Sequence, residues 1–365
     1  MDTVRFGVIG LRYGQSYVRV CQAVGGATVT ALYDIDLARA EQVAASVGAR
    51  AIASLDDLLN ADIDAVAVFS PLPYHAEQAI AALGAGKHVL SAVTSCATLL
   101  EAQALVQAAR TSRPVYMLAE QCCYLDEVEL VKRLHDAGRF GQLYYGEGEY
   151  LHDCRDIYYN EDGSLTWRGK GLLRVYCTHS LGPLLYLSGD RVAHVSALLV
   201  PGGKFDPRVT QPTLSLMQMV TTRGVTLRVR VDHVSPRPHQ MAYYALQGTL
   251  GSYEAWRGHG DTSKVWLADE HEPSLFHAPA QWHALSEQAP RYIPERLAAP
   301  EAARSGGHGT SEYWLLQDFV AAVRGERECP IDVYRGLDYT LPGICAFESA
   351  AGLGAPIAVP DPREW

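Results

Sequence analysis

A chain of 365 residues exceeds what one ordinary core accommodates, so two domains are expected. With 48% hydrophobic and 20% charged residues, the composition is that of a folded globular protein. The formal net charge of −10 sets the chain against polyanions, which argues against nucleic acid and anionic membrane surfaces as partners. No apolar stretch approaches the roughly 18 residues that a membrane helix needs, and the opening MDTVRFGVIG carries no export-signal pattern. The 8 cysteines include adjacent Cys122 and Cys123 but no CxxC pair. They read as buried thiols of a reducing compartment, so a cytoplasmic protein without a bound metal is expected.

In chain order, residues 4–10 (VRFGVIG) read as a short strand ending at Gly10, followed by helical spacing over about 15–24. A second strand, TVTALYD, ends at Asp34, and the Ala-rich stretch 37–47 is helical. Residues 64–69 (DAVAVF) form a continuous apolar run, of the kind buried on both faces of a parallel sheet. A helix over 77–85, a strand over 88–90, a helix over 99–110 and a strand over 115–118 complete the alternation. This pattern predicts a Rossmann-type, doubly wound parallel sheet, with a domain over 1–123 and a boundary near Tyr124.

The turn after the first strand reads Gly10-Leu11-Arg12-Tyr13-Gly14-Gln15. A dinucleotide fingerprint would read GxGxxG, so that backbone can approach the pyrophosphate at a helix N-terminus. The middle glycine is missing here, or the turn is one residue shorter. The stretch nevertheless follows the first strand, opens a helix and precedes Asp34 by about the expected interval. A carboxylate at Asp34 can accept hydrogen bonds from ribose hydroxyls and repels a 2′-phosphate, which favours NAD over NADP. The alternative is an acidic cap in a Rossmann-like domain that binds nothing.

Beyond a helix over 125–137, residues 142–151, 192–200, 214–221, 225–232 and 241–247 read as strands separated by turn signals such as PGG and TRG. A further strand is expected within 256–267. The stretch 270–309, rich in Pro, Ala, His and Gly, reads as a long irregular excursion. Helical spacing returns over 313–324 and 341–353. Residues 124–365 are therefore expected to form an α+β domain with an open, largely antiparallel sheet.

Several segments resemble the glucose–fructose oxidoreductase, inositol dehydrogenase and MocA (Gfo/Idh/MocA) family. SPLPYHAEQAIAALGAGKHVL, from Ser70 to Leu90, is similar to the segment that leads to that family's catalytic lysine. Where typical members read Glu-Lys-Pro, this chain has Ala92, Val93 and Thr94, so the lysine is absent. The Asp that typically stands four residues before a catalytic His is Val175 here. The run from Tyr176 to Pro183 (YCTHSLGP) resembles the Tyr-Pro-Thr-His-Gly-x-Gly-Pro run of the NAD-dependent glycosidase branch, glycoside hydrolase family 109. AEQCCY (119–124) and YLHDCR (150–155) resemble further segments of that branch, and Trp167-Arg168 also fits.

The resemblance implies an NAD-dependent enzyme acting on a sugar or glycoside, with Glu120, Tyr150, Tyr176 and His179 as catalytic residues. It implies cofactor contacts from Gly10, Leu11, Arg12, Tyr13, Gly14, Asp34, Ser70, Pro71, His75, Ala92 and Val93. It also implies a homo-oligomer, dimer or tetramer. Arg155, Trp167, Arg168 and His308 are candidate substrate contacts. The implied chemistry oxidises a C3 hydroxyl, eliminates across C2 and C1, adds water and reduces the ketone again. Each residue also has a plainer reading: a hydrogen-bonded core histidine for His179, packing tyrosines for Tyr150 and Tyr176, and a solvated loop carboxylate for Glu120. His152, Asp153, Cys154 and Asp156 lack the spacing of a zinc site. A plain NAD-dependent sugar or cyclitol dehydrogenase and a non-catalytic NAD-binding sensor remain alternatives.

Overall fold

The computed structural model describes residues 3–171, 176–238, 240–268 and 281–365. Val175 and residues 270–280 of the expected irregular excursion lie outside the described residues. The chain divides into two compact units. The first comprises Met1–Tyr124, Ala299–Thr340 and Asp361–Trp365, and the second Leu125–Ala298 and Leu341–Pro360. Tyr124 thus marks the first crossing from one unit to the other; the chain later returns to the first unit twice.

The first unit opens with β1 (Val4–Ile9), α1 (Leu11–Cys21), β2 (Ala27–Tyr33), α2 (Leu37–Val47), β3 (Arg50–Ile52) and α3 (Leu55–Leu59). It continues through β4 (Ala65–Val68), α4 (His75–Gly84), β5 (His88–Ser91), α5 (Leu99–Thr111) and β6 (Tyr116–Leu118). The six strands are all parallel, in the order β3-β2-β1-β4-β5-β6. Strand order reverses between β1 and β4, the place where open α/β sheets leave a crevice at their carboxyl ends. The strands are apolar because helices cover both faces: every residue of β4 is buried. Helix starts follow local chemistry. Asp36 caps α2, and Thr98 and Glu101 form a reciprocal capping box on α5.

Two expectations shift here. Helix α1 begins at Leu11 rather than near Gln15, because the Leu11 N–H docks on the Asp34 carboxylate, 2.7 Å away. The short elements β3 and α3 were not foreseen.

The second unit contains α6 (Asp126–Asp136), β7 (Leu143–Leu151), α7 (Thr178–Ser188), β8 (Val192–Pro201), β9 (Pro212–Thr221) and β10 (Thr226–Asp232). They are followed by β11 (Gln240–Gly248), β12 (Gly251–Glu254), β13 (Lys264–Leu267), β14 (His283–Ala284) and, late in the chain, β15 (Ile357–Ala358). Among the described residues, nine strands run β14-β13-β12-β11-β7-β10-β9-β8-β15. Every pairing is antiparallel except β7 with β10, which is parallel. Burial alternates along β9, where Thr213, Ser215, Met217 and Met219 point inward. Helix α7 lies close on β7 because Gly148 lacks a side chain; a Cβ there would stand 1.9 Å from the Ser180 carbonyl oxygen.

The strand expected within 256–267 is confined to Lys264–Leu267, since Gly258 and Gly260, the latter at φ 85°, break the run before it. The excursion expected to be irregular over 270–309 holds β14 and two single-turn helices, α8 (Ala289–Tyr292) and α9 (Pro294–Leu297). Helix α10 (Ser311–Val323) then returns the chain to the first unit, where Phe319 packs on Phe6 with ring centroids 5.7 Å apart. Helix α11 (Val333–Ala351) starts eight residues before Leu341 and runs through Pro342.

Candidate functional site

In the first unit, Gly10, Asp34, Ser70, Ala92 and Glu120 each follow the carboxyl end of a parallel strand. The parallel architecture alone therefore delivers five of the sequence-predicted residues to one sheet edge. Gly10 sits at φ 82°, and a Cβ on it would stand 2.6 Å from the Phe69 carbonyl oxygen, so only glycine allows this turn. A Cβ on Gly14 would stand 3.1 Å from both Phe69 and Val8, which keeps α1 tight on its strand. Gly14 thus performs the helix-packing task of a fingerprint's last glycine. Arg12, in place of the middle glycine, is exposed on the first turn of α1.

Asp34 is buried, and both of its oxygens are engaged. Oδ2 accepts from Leu11 N–H at 2.7 Å, and Oδ1 accepts from Asp36 N–H at 2.9 Å and from Arg39 at 3.2 Å. This cradle fits a dinucleotide: a glycine-tight turn, first-turn amides without intrahelical acceptors, and a fixed carboxylate at ribose position.

His75 is buried and bridges two loops, with Nδ1 2.9 Å from the Thr94 carbonyl and Nε2 2.8 Å from the Ser70 carbonyl. Ser70 Oγ donates to Gln78 at 2.6 Å, and Pro71 leads into the turn before α4. His75 thus ties the segment after β4 to that after β5, where Val93 occupies the lysine position and is buried. Glu120 is buried rather than solvated, and its Oε1 accepts from Cys122 N–H at 3.0 Å. The neighbouring Gln121 donates to the Tyr13 hydroxyl at 3.3 Å, joining the Glu120 turn to α1.

His308, expected near substrate, belongs to the first unit. Its Nδ1 stands 2.7 Å from Glu312 Oε1, and Glu312 also accepts from Gly307 N–H at 3.0 Å. Burial raises the Glu312 carboxyl, but its hydrogen bonds to His308 and the backbone outweigh this and hold it below the usual glutamate range.

In the second unit, Tyr150, Tyr176 and His179 come together. The Tyr176 hydroxyl is 3.1 Å from His179 Nε2, and the Tyr150 and His179 rings are 5.0 Å apart. Tyr150 and Tyr176 ring centroids are 6.0 Å apart. His179 lies in the first turn of α7, where the Tyr244 hydroxyl donates to its backbone carbonyl. Cys177, in place of the resembled proline, is buried at the start of that helix.

Two residues that sequence reasoning passed over join this group. His152 Nδ1 is 2.9 Å from the Tyr150 hydroxyl. The i, i+2 spacing at the end of a strand places both on one side, and that signal was available. His233, immediately after β10, stands 5.7 Å from Tyr150 and 6.1 Å from Tyr176 between ring centroids. No sequence signal could find it, because the pairing of β10 with β7 is non-local.

Arg155 is committed to Asp153, with contacts of 2.6 and 2.8 Å. The Arg168 guanidinium stacks 4.2 Å over the Trp167 ring. Trp167 and Tyr176 both pack against a small core of Cys154, Tyr158, Val209 and Val234. Burial pushes the Cys154 thiol up to about 12, against the smaller opposing pull of the Arg168 charge, so it is no thiolate at neutral pH.

Comparison with known proteins matches residues 4–120 to the family model described as oxidoreductase family, NAD-binding Rossmann fold. Residues 210–364 match the glycosyl hydrolase 109 C-terminal domain. A glycosyl hydrolase family 109 protein of Streptomyces coelicolor is 29% identical over 397 residues, covering 98% of this chain and 83% of the relative. One of Saccharopolyspora erythraea is 28% identical, covering 99% of this chain and 83% of its own. Among solved structures, levoglucosan dehydrogenase in complex with NADH and L-sorbose superposes with a TM-score of 0.83 at 21% identity, covering 99% of this chain and 100% of that one. The chain is thus similar to the Gfo/Idh/MocA-type NAD-binding Rossmann family over residues 4–120 and to the glycosyl hydrolase 109 C-terminal domain over residues 210–364, and along nearly its whole length to family 109 proteins.

Proposed function

We propose that this protein is an NAD-dependent glycosidase that cleaves a sugar's C1 substituent without net oxidation. The observation that carries the reading is the pair of tyrosine–histidine contacts in the second unit, Tyr150 with His152 and Tyr176 with His179, at 2.9 and 3.1 Å. An ordinary sugar dehydrogenase needs one group to move one hydroxyl proton. A cycle that also breaks a carbon–hydrogen bond needs a second base, and two hydroxyl–imidazole pairs provide it.

NAD, held by the Gly10 turn, the first amides of α1 and Asp34, would supply reversible hydride transfer at C3 of the sugar. His179 takes the C3 hydroxyl proton as that carbon is oxidised, a task suited to an imidazole. The ketone acidifies the C2 proton, which Tyr150 removes, its hydroxyl proton passing towards His152. Glu120 protonates the departing group at C1, and Tyr176 orients the water that adds there. No pair of carboxylates flanking an oxocarbenium ion is required. Asp34 selects NAD, since a 2′-phosphate would meet a buried carboxylate whose positive partner, Arg39, is already shared with Asp36. Arg168 and Trp167 bind the sugar, and the glycoside is a small molecule.

The test is a panel of aryl glycosides incubated in deuterated water. Release of the aryl alcohol with deuterium at C2 and no lasting rise at 340 nm supports the reading. Stoichiometric NADH with no glycoside cleavage overturns it in favour of a net dehydrogenase.

A further inference from the structure

One histidine packed against these tyrosines has no part in this scheme. His233 is buried, at 2% exposed. Its backbone is held on both sides: the N–H donates to the Thr213 carbonyl at 3.0 Å, and the carbonyl accepts from Cys154 N–H at 2.8 Å. Its ring is oriented as well, with Nδ1 3.8 Å from Cys154 Sγ. The imidazole meets Tyr150 at an interplanar angle of 62° and Tyr176 at 69°, both edge-type contacts. With the two tyrosine centroids 6.0 Å apart, the three rings form a near-equilateral triangle with His233 at its buried corner.

We propose that His233 is a positioning residue for Tyr150 and Tyr176, a fixed wedge that holds the first hydroxyl on His152 and the second on His179. The proposal rests on the reading that these two tyrosines react with substrate. A phenol ring pivots about two side-chain torsions, and only packing against its faces and edges stops it. His233 supplies one packed surface to both rings at once, from a backbone pinned to two neighbouring segments. Loss of that surface would let both hydroxyls drift from their imidazole partners. A displacement of about 1 Å at a reacting group can cost on the order of a hundredfold in rate.

The test compares His233→Ala and His233→Phe with wild type, alongside Tyr150→Phe and Tyr176→Phe. The two tyrosine variants also assign the ¹³Cζ resonances of tyrosine-labelled protein. His233→Ala is expected to shift or broaden both resonances and to lower kcat about tenfold or more, with KM within roughly twofold. His233→Phe, which restores a ring, is expected to recover most of both. A purely structural role would lower the melting temperature without this split between kcat and KM. Wild-type resonances and wild-type kcat in His233→Ala would overturn the proposal. Should Tyr150→Phe and Tyr176→Phe turn over normally, the proposed glycosidase chemistry fails, while the resonances still decide whether His233 sets the rings.

Discussion

The two units present their candidate groups by opposite means. In the first, six parallel strands bring Gly10, Asp34, Ser70, Ala92 and Glu120 to one edge, and much of the work falls to backbone: a left-handed glycine, helix amides and carbonyls held by His75. In the second, a mixed sheet offers side chains, with Tyr150, His152, Tyr176, His179 and His233 packed ring against ring. A nucleotide is bound by shape and backbone dipoles, whereas proton transfer needs titratable atoms at set distances. The first unit should accordingly be most sensitive to changes of backbone conformation, and the second to changes of functional group.

The sharpest probe of that contrast is His179→Ala. Turnover is expected to fall by about 10²–10⁴-fold while calorimetry shows NAD binding unchanged, as suits loss of a general base. Reduced NAD affinity in this variant would blur the division. Gly10→Ala tests the other side. The added Cβ would clash with the Phe69 carbonyl at φ 82°, so a loss of about 1–3 kcal/mol in thermal or chemical unfolding is expected, together with lost NAD binding. Next, Asp34→Ser should weaken NAD by about tenfold and let NADP bind, since the repelling carboxylate is gone and Arg39 keeps only Asp36 as a partner, leaving one side of its guanidinium for a 2′-phosphate. Competitive titration of both nucleotides decides it.

The smallest effect is expected at His308→Ala. Because Glu312 is held below its ordinary pKa in the folded protein, it contributes stability above the usual glutamate range that is lost as pH falls through its folded value. The melting-temperature gap between wild type and this variant, worth about 1 kcal/mol at neutral pH, should therefore narrow on acidification. A gap that widens instead would assign the stabilisation elsewhere.

Much of the first unit was legible because its signals are local. Apolar runs such as DAVAVF mark buried parallel strands, and the interval from Gly10 to Asp34 marks the nucleotide turn. What escaped was short or set at a distance. Strand β3 has three residues and α3 has five, too few for a period to show. The start of α1 is fixed by a carboxylate on the following strand. In the second unit, the tyrosines and His179 were visible through their resemblance to a known run, and His152 was within reach of simple strand alternation. His233 was not, since its place depends on β10 lying beside β7, and no local pattern states which strands will be neighbours. Helix α11 begins at Val333, before the expected 341–353, and continues through Pro342, a residue that ordinarily interrupts a helix interior.

The parallel alignment of β7 with β10 also bears on how the protein assembles. Its register joins Tyr145 to Thr226, so the connecting chain, with α7, β8 and β9, has to be threaded before these two strands can zip together. Pairings of such wide sequence separation form slowly and late in folding. The tyrosines and imidazoles would be among the last parts to settle, leaving a refolding chain able to hold a nucleotide before it can move a proton.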